Sequence, residues 1–87
     1  MRFVGTGRLA GYRTGTKDKK DWMSLALDDV DDPMNRIQIF VPKDLHDTVA
    51  DISFGSVVEI AVNLYMRIPE RGYSRLECTL LSIKQID

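Results

Sequence analysis

"NRIQIFVPKDLHDTVADISFGSVVEIAVNLYM", residues 35–66, sets two alternating apolar stretches on either side of one that does not alternate. Ile37, Ile39 and Val41 fall on one side of an extended chain, with Arg36, Gln38 and Phe40 on the other. Val58, Ile60, Val62, Leu64 and Met66 share a face in the same way. Between them, Pro42 suits a first helical turn, and Leu45, Val49 and Ile52 follow at spacings of four and three. The pattern predicts strand, one short helix, strand, with "SFGS" (53–56) ending the helix.

Upstream, Phe3 to Tyr12 is β-capable and punctuated by Gly5, Gly7 and Gly11, where a strand can bend. "RTGTKDKKD" (13–21) reads as a turn by composition. From Trp22 the alternation is strict, with Met23, Leu25 and Leu27 on one side and Trp22, Ser24 and Ala26 on the other. "DDVDDP" (28–33) ends that strand. Downstream, "RIPERGY" (67–73) is a loop and "SRLECTLLSIKQI" (74–86) a last strand, its doubled Leu80-Leu81 suggesting a bulge. Three strands, a short helix and two more strands is the element order of the OB fold. The expectation is an all-β single domain over 1–87, a five-stranded OB-like Greek-key barrel with one short helix between strands three and four. An SH3-like barrel competes but normally lacks a helix there.

Charge is distributed unevenly. The 87 residues carry a net charge of −1, which argues against a general nucleic-acid binder. Yet residues 1–20 hold Arg2, Arg8, Arg13, Lys17, Lys19 and Lys20 against Asp18 alone, while residues 21–34 hold five aspartates and no base. Arg67, Arg71 and Arg75 form a second basic group around Glu70. Such segregation can give a neutral molecule one positive face.

Parity supplies the rest of a binding surface. With Phe3, Leu9, Met23, Leu25, Ile39 and Val41 inward, Arg8, Tyr12, Trp22, Arg36, Gln38 and Phe40 are expected outward. Flat rings that stack on bases and cations that meet phosphates are what single-stranded nucleic acid requires. The first loop brings Arg13, Lys17, Lys19 and Lys20; the last brings Arg67, Arg71, Tyr73 and Arg75. In an OB barrel these two loops border one groove. Tyr65, near a strand end, is expected to pack rather than stack, and the aspartates at 28–32 to make the opposite end of the molecule negative.

Catalysis, metals and membranes find little support. There is no phosphate-cradling glycine motif with its lysine and no nucleophile elbow, and "GTGRLAG" (5–11) lacks dinucleotide-fingerprint spacing. His46 has no second ligand near it, and the aspartates lack calcium-loop spacing. The single cysteine, Cys78, suits a reducing compartment. No apolar run nears the roughly 18 residues that span a bilayer, and the N-terminus lacks a signal-peptide core. A cytoplasmic, non-enzymatic protein without cofactor is expected.

With these elements placed, "GRLAGYRTGTKDKKDWMSLAL" (7–27) resembles the first hairpin of small OB-fold single-stranded-DNA-binding proteins of phages and conjugative elements. The gene-V-type binders of filamentous phages and OB-fold accessory replication proteins are the groups it is similar to. The resemblance implies sequence-tolerant coating of unwound DNA during replication or transfer of a mobile element, often as a homodimer or beside a helicase. It assigns Tyr12, Arg13, Lys17, Lys19, Lys20 and Trp22 to the DNA. The acidic balance and the aspartates at 28–32 depart from that pattern, and the paired aromatic motifs of cold-shock domains are absent. The alternative is a protein–protein module of a replication or other assembly; an RNA- or oligosaccharide-binding barrel is a third reading.

Overall fold

The computed structural model describes residues 1–68 and 72–87. Five strands form a closed barrel: β1 (Arg2–Lys17), β2 (Lys20–Asp28), β3 (Arg36–Val41), β4 (Val57–Arg67) and β5 (Arg75–Gln85). Around the barrel the order is β1-β2-β3-β5-β4. All neighbours are antiparallel except β3 and β5, which close it in parallel through Phe40 and Thr79. Between β3 and β4 a 3-10 turn, Lys43–Leu45, leads into α1 (His46–Ala50).

The alternation read from the sequence builds the core. Leu9, Leu25, Ile39, Val41, Val49, Val58 and Leu80 are fully buried. Each side chain of this size stabilises the fold by about 1.5–3 kcal/mol on leaving water. Val49 carries α1 into that cluster, Leu45 and Ile52 pack beside it, and His46 Nε2 is hydrogen-bonded to Val41 O at 2.9 Å. The helix thus closes one end of the barrel. At the other end Phe3 and Ile37 keep inward parity yet are half exposed, because nothing among the described residues caps that mouth. The doubled leucine makes the expected bulge: Leu80 pairs with Val62 and Ser82 with Ala61, leaving Leu81 extra.

β1 is long enough to serve two neighbours. Its first half pairs with β4 and its second half with β2, and a bulge falls between Leu9 and Gly11 where the duties change. That extra residue reverses the parity of everything after it. Leu9 faces Leu27 across the ladder, and Tyr12, not Gly11, then faces Leu25. The expectation that Tyr12 points outward is therefore corrected: it is half-buried against the core, its ring edge-on to Phe54 with centroids 5.5 Å apart.

The stretch 13–21 is also not a loose turn. β1 runs to Lys17 and β2 starts at Lys20, so the connection is Asp18-Lys19 alone, with φ of 53° and 62°. Two left-handed residues are the type I′ geometry that matches the twist of a hairpin. Threonines and the long Arg13 and Lys17 stems extend the ladder, so composition misled where strand pairing decided.

Candidate nucleic-acid interface

The outer face of β1–β2–β3 is built by the shifted register. Beyond the bulge, Gly11, Arg13, Gly15 and Lys17 point outward on β1, beside Ala26, Ser24, Trp22 and Lys20 on β2. Ser24, Ala26 and Asp28 pair onward with Phe40, Gln38 and Arg36 of β3. Small residues thus alternate with large ones. Gly11, Ser24 and Ala26 form the floor of an open groove of about 360 Å³ that Arg13, Arg36 and Gln38 border.

Trp22 sits at one end of this face. Its indole covers Gly15, where a Cβ would lie 2.6 Å from the ring. β2 first pairs with β3 at Met23, so Lys20–Trp22 and the facing end of β1 project past the barrel as a two-stranded arm. Lys17, Lys19 and Lys20 crown that arm, exposed, and together with Arg13 they form no ion pair among the described residues. Phe40 lies outward next to Ser24 with 51% of its surface in solvent.

The face continues across the barrel seam. Phe40 adjoins Thr79 of β5, whose hydroxyl donates to Tyr65 Oη at 3.3 Å. Tyr65 in turn donates to Glu77 at 3.1 Å, and Arg67 contacts the same carboxylate at 3.5 Å. Arg75 stands opposite Arg67 at the end of this hairpin. Tyr65 was assigned to packing by its position near a strand end, but it lies on the outer side and is 39% exposed. Tyr73 is 95% exposed in the connecting loop. Arg71 lies outside the described residues. The structure therefore brings Arg13, Lys17, Lys19, Lys20, Trp22, Arg36 and Phe40 onto one sheet face, and sets Arg67 and Arg75 on the adjoining one; it withdraws Tyr12.

The aspartates at 28–32 sit apart from the arm, all but one of them within a turn. Asp29, Asp31 and Asp32 occupy the β2–β3 turn, at the end of β2 remote from the lysines, and Asp29 and Asp32 accept backbone N–H bonds there at 2.9 and 3.1 Å. Asp28 is the exception. It lies on the outer face, where the Arg36 guanidinium donates to both its oxygens, at 2.6 and 3.1 Å. That charge-assisted bond holds the Asp28 carboxyl below its usual range and raises the Arg36 guanidinium. Two residues of the surface escaped the sequence reading: Asp28, hidden among turn aspartates, and Tyr65. Among the described residues no cluster of histidine, cysteine and carboxylates is placed to hold a metal ion.

No protein-family model matches the sequence, and no curated protein matches it either. Solved structures do match its shape. The mitochondrial single-stranded DNA binding protein Rim1 of S. cerevisiae superposes over 99% of this chain and 95% of its own, at a TM-score of 0.75 and 13% identity. A second form of Rim1 gives 0.58 at 14% identity, over 99% and 94% of the two chains. A small single-stranded DNA-binding protein from Streptomyces coelicolor gives 0.56 at 11% identity, again over 99% and 94%. The chain has the OB fold. In an OB barrel, strands two and three and the loops beside them form the usual ligand surface, and here those strands carry Trp22, Arg36, Gln38 and Phe40.

Proposed function

We propose that this OB barrel binds single-stranded DNA without sequence preference, in replication or transfer of a phage or mobile element. One observation carries the reading: a cationic arm and two outward rings, Trp22 and Phe40, share one side of β1–β2–β3. The fold shared with proteins named for single-stranded DNA binding supports it. Every base offers a π-face, so stacking on Trp22, Phe40 and Tyr73 is indifferent to sequence and contributes about 1–3 kcal/mol per base. Arg13, Lys17, Lys19 and Lys20 meet the backbone, and Arg67 and Arg75 continue its path. On this reading the protein acts in the cytoplasm, beside a helicase or other replication protein, and as a homodimer. Titrating Trp22 fluorescence with oligo(dT) tests it. Quenching that fades steeply with salt is expected; an unchanged signal at low salt would rule the reading out.

A protein partner is the second reading, favoured by the open barrel mouth. Phe3, Ile37, Leu64 and Leu76 line an apolar hollow of about 530 Å³ there, and Leu76 is mostly exposed. Exposed apolar surface of this kind marks interaction sites. Retention of a replication protein with no response to oligo(dT) would favour this reading over the first.

A further inference from the structure

We propose that Asp28 occupies a phosphate subsite of the nucleic-acid face, so that its carboxylate competes with the DNA backbone for Arg36. The inference rests on the single-stranded-DNA reading and adds an internal competitor to it.

Three features place the subsite. Arg36 borders the groove floored by Gly11, Ser24 and Ala26, so a strand lying along that floor reaches its guanidinium. Arg36 is accessible, with 55% of its side chain in solvent, yet its Nε and Nη2 are already engaged by Asp28. Asp28, by contrast, is 13% exposed and set into the row. The Nε/Nη2 edge takes a carboxylate or a phosphate by the same pair of parallel N–H bonds, so the two ligands exclude each other at that edge. Arg8 is the register partner of Asp28 on β1, but its Nη1 donates to Gly55 O at 2.6 Å and it forms no ion pair with Asp28 among the described residues. Arg8, Asp28 and Arg36 thus lie in one cross-strand row, in which the central carboxylate is ion-paired with Arg36.

This arrangement sets the affinity lower than the cation count implies. At its Nε/Nη2 edge Arg36 contributes to DNA binding only the difference between a phosphate and Asp28. Removing the Asp28 charge while keeping its shape converts Arg36 into a free phosphate ligand.

The test is a double-mutant cycle on the intact chain, using oligo(dT) at several salt concentrations. Asp28→Asn is expected to bind several-fold tighter at low salt and to steepen the dependence of log K on log[salt] by about 0.7, the increment for one more phosphate on a single strand. Asp29→Asn controls for the general field, because Asp29 accepts only from Asp31 N and Asn35 within its own turn. In an Arg36→Gln background the Asp28→Asn gain must disappear. Equal gains from Asp28→Asn and Asp29→Asn, a gain that survives Arg36→Gln, or weaker binding by Asp28→Asn would each overturn the proposal while leaving DNA binding intact. If the unaltered protein fails to bind oligo(dT) at low salt, the functional reading and this inference fall together. Thermal melting of each variant confirms that the barrel stays folded.

Discussion

Trp22 rests on Gly15, directly opposite it across the β1–β2 ladder, and the indole leaves no room there for even a methyl group. A glycine in a strand ordinarily weakens it. Here the missing side chain seats an aromatic ring on the outer face. Gly15→Ala is therefore expected to push the indole outward, shifting its emission to the red and lowering oligo(dT) affinity. The backbone itself accepts alanine, so the loss of packing is partly offset by the about 0.4–1 kcal/mol that Gly→Ala gains through the unfolded chain. Emission spectra and melting of the variant separate these effects. Unchanged emission would mean that the ring does not depend on Gly15.

The three lysines of the arm act as separate charges. Changing Lys17, Lys19 and Lys20 together to alanine should lower affinity alike for oligo(dT), oligo(dA) and oligo(dC). At about 0.7 per phosphate contact, the salt slope should fall by about 2. Binding isotherms at four or five salt concentrations read this directly. An unaltered slope would place the arm away from the backbone.

Lys19 bears a cost that Lys17 and Lys20 do not. Its φ of 62° is in the left-handed region, which a side chain with a Cβ adopts at a penalty and glycine adopts freely. Lys19→Gly should raise the melting temperature, by up to about 1 kcal/mol of stability, while weakening DNA binding by one phosphate contact. Stability gained with affinity lost would identify a strained residue retained for its charge. A variant that melts lower would show that Lys19 supports the turn.

How far the sequence carries depends on where the apolar residues run out. β2, β3 and β4 alternate without interruption, so their inward rows, the helix that brings Val49 to the core, and the bulge at the doubled Leu80-Leu81 are legible. After Leu9 the chain offers Ala10 and Gly11, neither of which declares a side, and the bulge there passes unseen. Tyr12 changes faces in consequence. The composition of 13–21 suggests a loop because threonine, glycine and lysine are indifferent locally; only the facing residues of β2 fix it as a ladder. Asp28 is similarly hidden. Its place among four close aspartates reads as a turn, and its partner Arg36 becomes visible only when the register of two strands is known.

Tyr12 and Phe40, both expected outward from the sequence, accordingly have different roles. Tyr12 is packed against the core and Phe54, so Tyr12→Ala should lower stability by more than 1 kcal/mol, an order set by large-to-small changes at packed sites. At a temperature where the variant remains folded, its DNA affinity should be nearly normal. Phe40→Ala should do the reverse, costing about 1–3 kcal/mol of binding with little effect on melting. Paired melting and titration of the two variants decides it. Equal losses of affinity would return Tyr12 to the binding face.

The Asp28–Arg36 pair also fixes the sign of one pH effect. Arginine stays charged throughout, so only the carboxylate titrates. Its hydrogen bonds to Arg36 depress the folded-state value below the ordinary 3.8. A group depressed on folding stabilises the native state above its unfolded value, and that contribution is lost as pH falls through the folded value. The pair should therefore help stability above about pH 4 and cease to do so in stronger acid, with a modest amplitude because its Arg36 half is open to solvent. Melting temperature followed from pH 6 to pH 2 should fall less steeply at the acid end for Asp28→Asn than for the unaltered chain. Added salt should narrow the gap between the two curves. Parallel curves down to pH 2 would mean that the contact with Arg36 contributes nothing to folding, leaving competition for phosphate as its one measurable effect.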